Sequence, residues 1–126
     1  MGETGVPAAV RGFIASHIVS VAQLEVLLML RAAADKEWSA SEMARALVTQ
    51  PEAAAGWLED LRQRGLASES EGKYRYTPAN DDLDRIVDDL AESYANYRVA
   101  VIGLIFARPS ERITSFADAF RIRKRS

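Results

Sequence analysis

The chain contains no cysteine, which excludes disulfides, thiolate nucleophiles and cysteine-rich zinc sites. Histidine occurs once, at His17, so no histidine-based metal site and no Ser-His-Asp triad can be assembled within one chain. Glycine-rich phosphate loops are missing. The carboxylates between Asp81 and Asp89 are spread around a helix and read as a solvated face rather than an acid–base pair. Catalysis, a bound metal and a cofactor are therefore not expected. Long apolar runs are lacking too. The longest late run, Val99 to Phe106, falls well short of the roughly 20 residues that cross a bilayer. The N-terminus has no cationic start before an apolar stretch, so it does not read as a signal peptide. The expectation is a cytoplasmic protein with no transmembrane segment. A formal net charge of −2 gives no overall pull toward nucleic acid.

Helix signals dominate what is present. The 126 residues suit a single domain, and an apolar share of 48% is enough for one packed core. Ser20-Val-Ala-Gln23 and Ser39-Ala-Ser-Glu42 both read as capping boxes, in which the first side chain accepts from a free helix N–H and the fourth reaches back to the cap's own N–H. Thr49-Gln-Pro-Glu52 is a third start, with Pro51 in the first turn, where a missing N–H costs nothing. Behind these starts Leu24, Leu27 and Leu28, then Met43, Ala44 and Leu47, then Ala54, Trp57, Leu58 and Leu61 fall at helical spacing. Phe13, Ile14, Ile18 and Val19 predict a short preceding helix on the same core, with residues 1–12 as a loose leader. Gly65 is a helix stop. Leu66 to Thr77 reads as strand, turn, strand, with Gly72 at the turn and Tyr74, Tyr76 and Thr77 favouring the pleated state. Pro78 closes it, and Asn80-Asp-Asp opens a further helix.

Helix, short helix, helix, hairpin, helix is the winged-helix order. From Ser20 to Thr77 the sequence resembles the winged helix-turn-helix superfamily of bacterial regulators. Leu24 to Leu30 looks like the first core helix and Ser41 to Leu47 like the second. Leu58-Glu-Asp-Leu61 to Gly65-Leu66 looks like the third helix running into the wing. A long helix after the wing is similar to the dimerisation helices of PadR-like and MarR-like families. The expected fold is mainly α with a small β-hairpin. A winged-helix domain would span 13–78, a long helix 79–107, and a basic amphipathic tail with a short helix 108–126. The resemblance implies a DNA-binding transcriptional regulator whose third helix enters the major groove. It points to Gln50, Arg62, Gln63 and Arg64 at that helix and to Lys73 and Arg75 on the wing as DNA contacts.

The residues of the third helix argue against base readout. With Ala54, Leu58 and Leu61 inward, a rotation of ~100° per residue places Glu52, Gly56, Glu59, Asp60 and Gln63 outward. That face carries carboxylates and no cation, and carboxylates repel phosphates. Arg62 and Arg64 lie toward its C-terminal flank. Such a face is either plain solvated surface or a dock for a basic protein partner. On the wing, Lys73 and Arg75 alternate with Tyr74 and Tyr76, so one pair faces the core and the other faces out. The two cations suit phosphates, or they pair across the hairpin with Glu69 and Glu71.

Later in the chain, Leu83, Val87, Leu90, Tyr94, Tyr97, Val101 and Leu104 step by four and three in a heptad rhythm. One helix from Asp81 to Phe106 would be ~39 Å long, more than so small a domain covers. The stripe therefore predicts a homodimer interface. The alternative is a helix folded back on its own domain. Beyond Pro109, Phe116 and Phe120 share a face with Ile113, and Arg121, Arg123, Lys124 and Arg125 form a basic end. This tail suits nucleic-acid phosphates, an anionic membrane surface, or the acidic start of the long helix. Two functions emerge: a dimeric regulator that binds duplex DNA, and a winged helix that docks a protein partner through its acidic third helix and Phe-rich basic tail.

Overall fold

The computed structural model describes residues 5–107. Within them the chain runs α1 (Ala8–His17), α2 (Val21–Ala32), β1 (Trp38–Ser39), α3 (Ala40–Leu47), α4 (Pro51–Gln63), β2 (Ala67–Ser70), β3 (Lys73–Tyr76), α5 (Asp81–Asn96) and α6 (Arg98–Ala107). The strands form one antiparallel sheet in the order β1-β3-β2. The architecture is mainly helical with this small sheet at one side. Leu24, Leu27 and Leu30 of α2 lie fully buried against Met43, Leu58, Leu61 and Leu66, so the apolar stripes read from sequence meet in one core. Among the described residues no single helix is long and apolar enough to cross a bilayer.

Local chemistry sets the boundaries. Ser39 closes a complete capping box, accepting from Glu42 N–H at 3.1 Å while the Glu42 carboxylate accepts from Ser39 N–H at 2.9 Å. Asn80 caps α5 by accepting from Leu83 N–H at 2.9 Å. Ser20 caps α2, accepting from Gln23 N–H at 3.0 Å, but Gln23 does not return the bond to Ser20. Its Oε1 accepts from Val19 N–H instead. The third start shifts by one residue: Gln50, not Thr49, is the N-cap of α4, and it makes no side-chain capping bond.

Two helix ends share one geometry and differ in residue. Gly65 has φ 81°, with Leu66 N–H donating to the Leu61 carbonyl at 3.0 Å and Gly65 N–H to that of Arg62 at 3.1 Å. This is the left-handed stop that glycine suits. The same pair of bonds closes α3, from Thr49 N–H to Ala44 at 2.9 Å and from Val48 N–H to Arg45 at 3.4 Å. There the left-handed residue is Val48, φ 55° and ψ 58°, with its side chain 90% exposed. A β-branched residue in that region costs about 1–2 kcal/mol, and an exposed side chain recovers little of it by packing.

Three expectations are corrected. The predicted continuous helix breaks at Tyr97, φ −135° and ψ 52°, into α5 of 16 residues and α6 of 10. On either side of the break both helices pack on α1. Most of the heptad stripe is thereby covered by its own chain. Val87, Leu90, Tyr94 and Val101 are buried, Leu83 and Leu104 are half-buried, and Tyr97 is 44% exposed. The stripe offered as a dimer interface is therefore mostly an internal seam, the folded-back alternative. The cover comes from the segment expected to be a loose leader. Val6 and Val10 are buried in the core, α1 begins at Ala8, and Gly5 lies against the Tyr97 ring so closely that a Cβ there would fall 2.5 Å from it.

Candidate nucleic-acid interface

Helix α4 turns Ala54, Leu58 and Leu61 into the core, which leaves Glu52, Gly56 and Gln63 exposed and Glu59 and Asp60 half-buried at the edges of the outward face. The expected acidic face is present, but two of its carboxylates are already occupied. Arg62 donates to Glu59 from Nε at 3.0 Å and from a terminal nitrogen as well. Gln63 donates to the same carboxylate at 3.3 Å, and Tyr74 Oη on β3 donates to it at 3.1 Å. The Arg62 bond, with help from Tyr74 and Gln63, pushes the Glu59 pKa down to about 2. Glu59 therefore stays ionised across the physiological range and ties α4 to the hairpin.

Asp60 is held from the other side. Arg64 Nε donates to it at 2.8 Å, and so does the side-chain amide of the fully buried Gln23. Gln23 also donates to the His17 carbonyl at 3.1 Å, and Arg64 reaches the Ser16 carbonyl at 3.3 Å. This network joins the C-terminus of α1, the N-terminus of α2 and the middle of α4. His17 stacks on Phe13 with ring centroids 4.6 Å apart. Burial, reinforced by the Arg64 charge, lowers the His17 pKa below 6.5.

The hairpin is built differently. Glu71 and Gly72, at φ 52° and 80°, form a two-residue turn with both centres left-handed, which sets the strand register. Lys73 pairs with Ser70 across the hairpin and Arg75 with Ser68, whereas Glu69 pairs with Tyr74. The cations and the nearest acid therefore occupy opposite faces. Tyr74 and Tyr76 pack on the core, and Lys73 and Arg75 are exposed. The expected cross-strand ion pairs do not form. Glu69 instead accepts from Gly72 N–H at 2.8 Å. Among the described residues, no ion pair engages Lys73 or Arg75. The outward side of the hairpin presents Ser68, Ser70, Lys73, Arg75 and Thr77, with Ser68 and Thr77 hydroxyls 2.8 Å apart. Glu42, across from β3 on α3, adds some negative field near Lys73, but its carboxylate is bonded to Ser39 N–H.

Of the DNA contacts predicted from sequence, Lys73 and Arg75 are thus open, and Gln50 is exposed at the start of α4. Arg62, Gln63 and Arg64 are engaged by carboxylates of their own helix. The tail residues Phe116, Phe120, Arg121, Arg123, Lys124 and Arg125 lie outside the described residues. Gln23 was read only as part of a capping box, and its link to Asp60 went unseen because the contact spans 37 positions. The open serines Ser68 and Ser70 were legible in the alternation of the strand. Among the described residues no three acidic, histidine or cysteine side chains converge as a metal-ligand set. Comparison with family models, curated proteins and solved structures finds no match.

Proposed function

We propose that this chain is a winged-helix DNA-binding protein of the transcription-regulator kind, cytoplasmic, that grips duplex DNA chiefly with its hairpin. The element order from α2 to β3, with β1 joining the hairpin sheet, supports the winged helix-turn-helix reading. The observation that carries the DNA reading is Lys73 and Arg75, which no ion pair engages among the described residues, flanked by hydroxyl side chains and facing away from the core. Cations and hydroxyls are the groups that contact phosphate oxygens, and each neutralised phosphate releases counterions. The protein-docking alternative loses support because Glu59 and Asp60, the heart of the acidic face, are held by Arg62 and Arg64. Pairing of two copies belongs to this proposal in a narrower form. A second copy has to dock on α6, where Val99 and Phe106 are 85% and 67% exposed on either side of Gly103. Sedimentation of the full chain and of Phe106→Glu tests that point. The DNA reading predicts a complex with duplex that weakens steeply with added salt. A folded chain that retards no duplex at low salt rejects it.

A further inference from the structure

We infer that Glu59 withholds Arg62 from the duplex, so that the C-terminal half of α4 lies against DNA without reading base edges and the hairpin supplies the working cations. This inference rests on the DNA-binding reading above. Sequence readout in the major groove leans on a free guanidinium fork for guanine and a free amide for adenine. In the C-terminal half of α4 both groups point back to one carboxylate, whereas the exposed Gln50 at the N-cap lies outside this network. The Arg62 fork lies on both oxygens of Glu59, and the Gln63 amide donates to the same group. The other arginine of this region, Arg64, spends its Nε on Asp60 and a terminal nitrogen on the Ser16 carbonyl. An exposed ion pair spaced three residues apart on a helix is ordinarily weak. This carboxylate has further donors, Gln63 and the Tyr74 hydroxyl, which fix it in place before Arg62 arrives. A phosphate or a guanine must therefore displace a positioned competitor. Of the other positions on this side of α4, Glu52, Ala53 and Gly56 have no side-chain donor and the half-buried Trp57 has only its indole N–H. Glu59 is thus a positioning residue that sets the charge of this part of the interface and keeps Arg62 and Gln63 from base edges.

The test uses the full chain and a labelled mixed-sequence duplex of about 20 bp, with affinity measured across a salt series. Glu59→Gln should bind roughly 3–10-fold tighter than the wild type, with a salt slope steeper by about one unit, because one more cation meets phosphate. Tyr74→Phe removes one of the donors that fix Glu59, so its affinity should lie between those of the wild type and Glu59→Gln. Adding Arg62→Ala to Glu59→Gln should return affinity to within about twofold of the wild type. Equal or weaker binding by Glu59→Gln, or a gain that persists when Arg62→Ala is added to it, overturns the inference. Circular dichroism melts show that each variant is folded. If the wild type itself binds no duplex at low salt, the DNA-binding reading fails and takes this inference with it. If the wild type binds and Glu59→Gln does not differ, the inference alone fails.

Discussion

The outward face of α4 and the outward face of the hairpin both carry charged side chains, yet their availability is opposite. On α4 the acids and bases lie three or four residues apart along one helix, the spacing at which side chains meet. Glu59 and Arg62, and Asp60 and Arg64, therefore neutralise one another. On the hairpin the period is two, so Lys73 and Arg75 share a face from which Glu69 is excluded. The same composition gives a self-satisfied surface in one place and an open one in the other. Secondary-structure period decides which.

The largest effect that would sharpen this contrast concerns the buried side of α4. Gln23→Ala removes an amide that bonds Val19 N–H, the His17 carbonyl and Asp60, and should destabilise the fold by about 2–4 kcal/mol in denaturant titration. A loss below roughly 0.5 kcal/mol would show that Asp60 is held by Arg64 alone.

That network also marks how far the sequence could be read. The three core stripes, the Ser39 box, the Gly65 stop and the hairpin were legible because each depends on residues within a few positions of one another. The fate of the charged face was not. Helical rotation correctly turned Glu52, Gly56 and Gln63 outward, but it could not say that Tyr74 would reach Glu59 or that Gln23 would reach Asp60. The heptad stripe looks uncovered in the sequence because the apolar signal of the covering helix, α1, becomes dense only near Phe13, whereas the helix begins at Ala8. The break at Tyr97 and the left-handed Val48 carry no glycine or proline to announce them.

A smaller effect is expected at the turn that leads into α4. Val48→Gly should raise stability by about 1 kcal/mol, since glycine adopts the left-handed conformation freely and the exposed valine side chain makes little contact to lose. An unchanged or lower melting temperature would show that the turn is not strained. If the hairpin is the main grip, this substitution should also leave duplex affinity alone.

The smallest effect is in pH. The folded pKa of His17 is lowered, so the folded state disfavours its proton. Stability from this group is complete above the unfolded value of 6.5 and is lost as pH falls through the folded value. His17→Phe, which keeps the ring stack on Phe13 and removes the titrating imidazole, should flatten that limb below pH 6.5. Parallel curves for the two proteins would show that His17 does not titrate on unfolding.

The account stands most directly on the salt dependence of duplex binding in Lys73→Ala/Arg75→Ala. If the hairpin cations meet phosphates, the slope of log affinity against log salt should fall by about two units, at roughly 0.9 per lost contact. An unchanged slope, in a folded double variant whose parent binds duplex, would contradict it and return the interface to α4 or to another part of the chain.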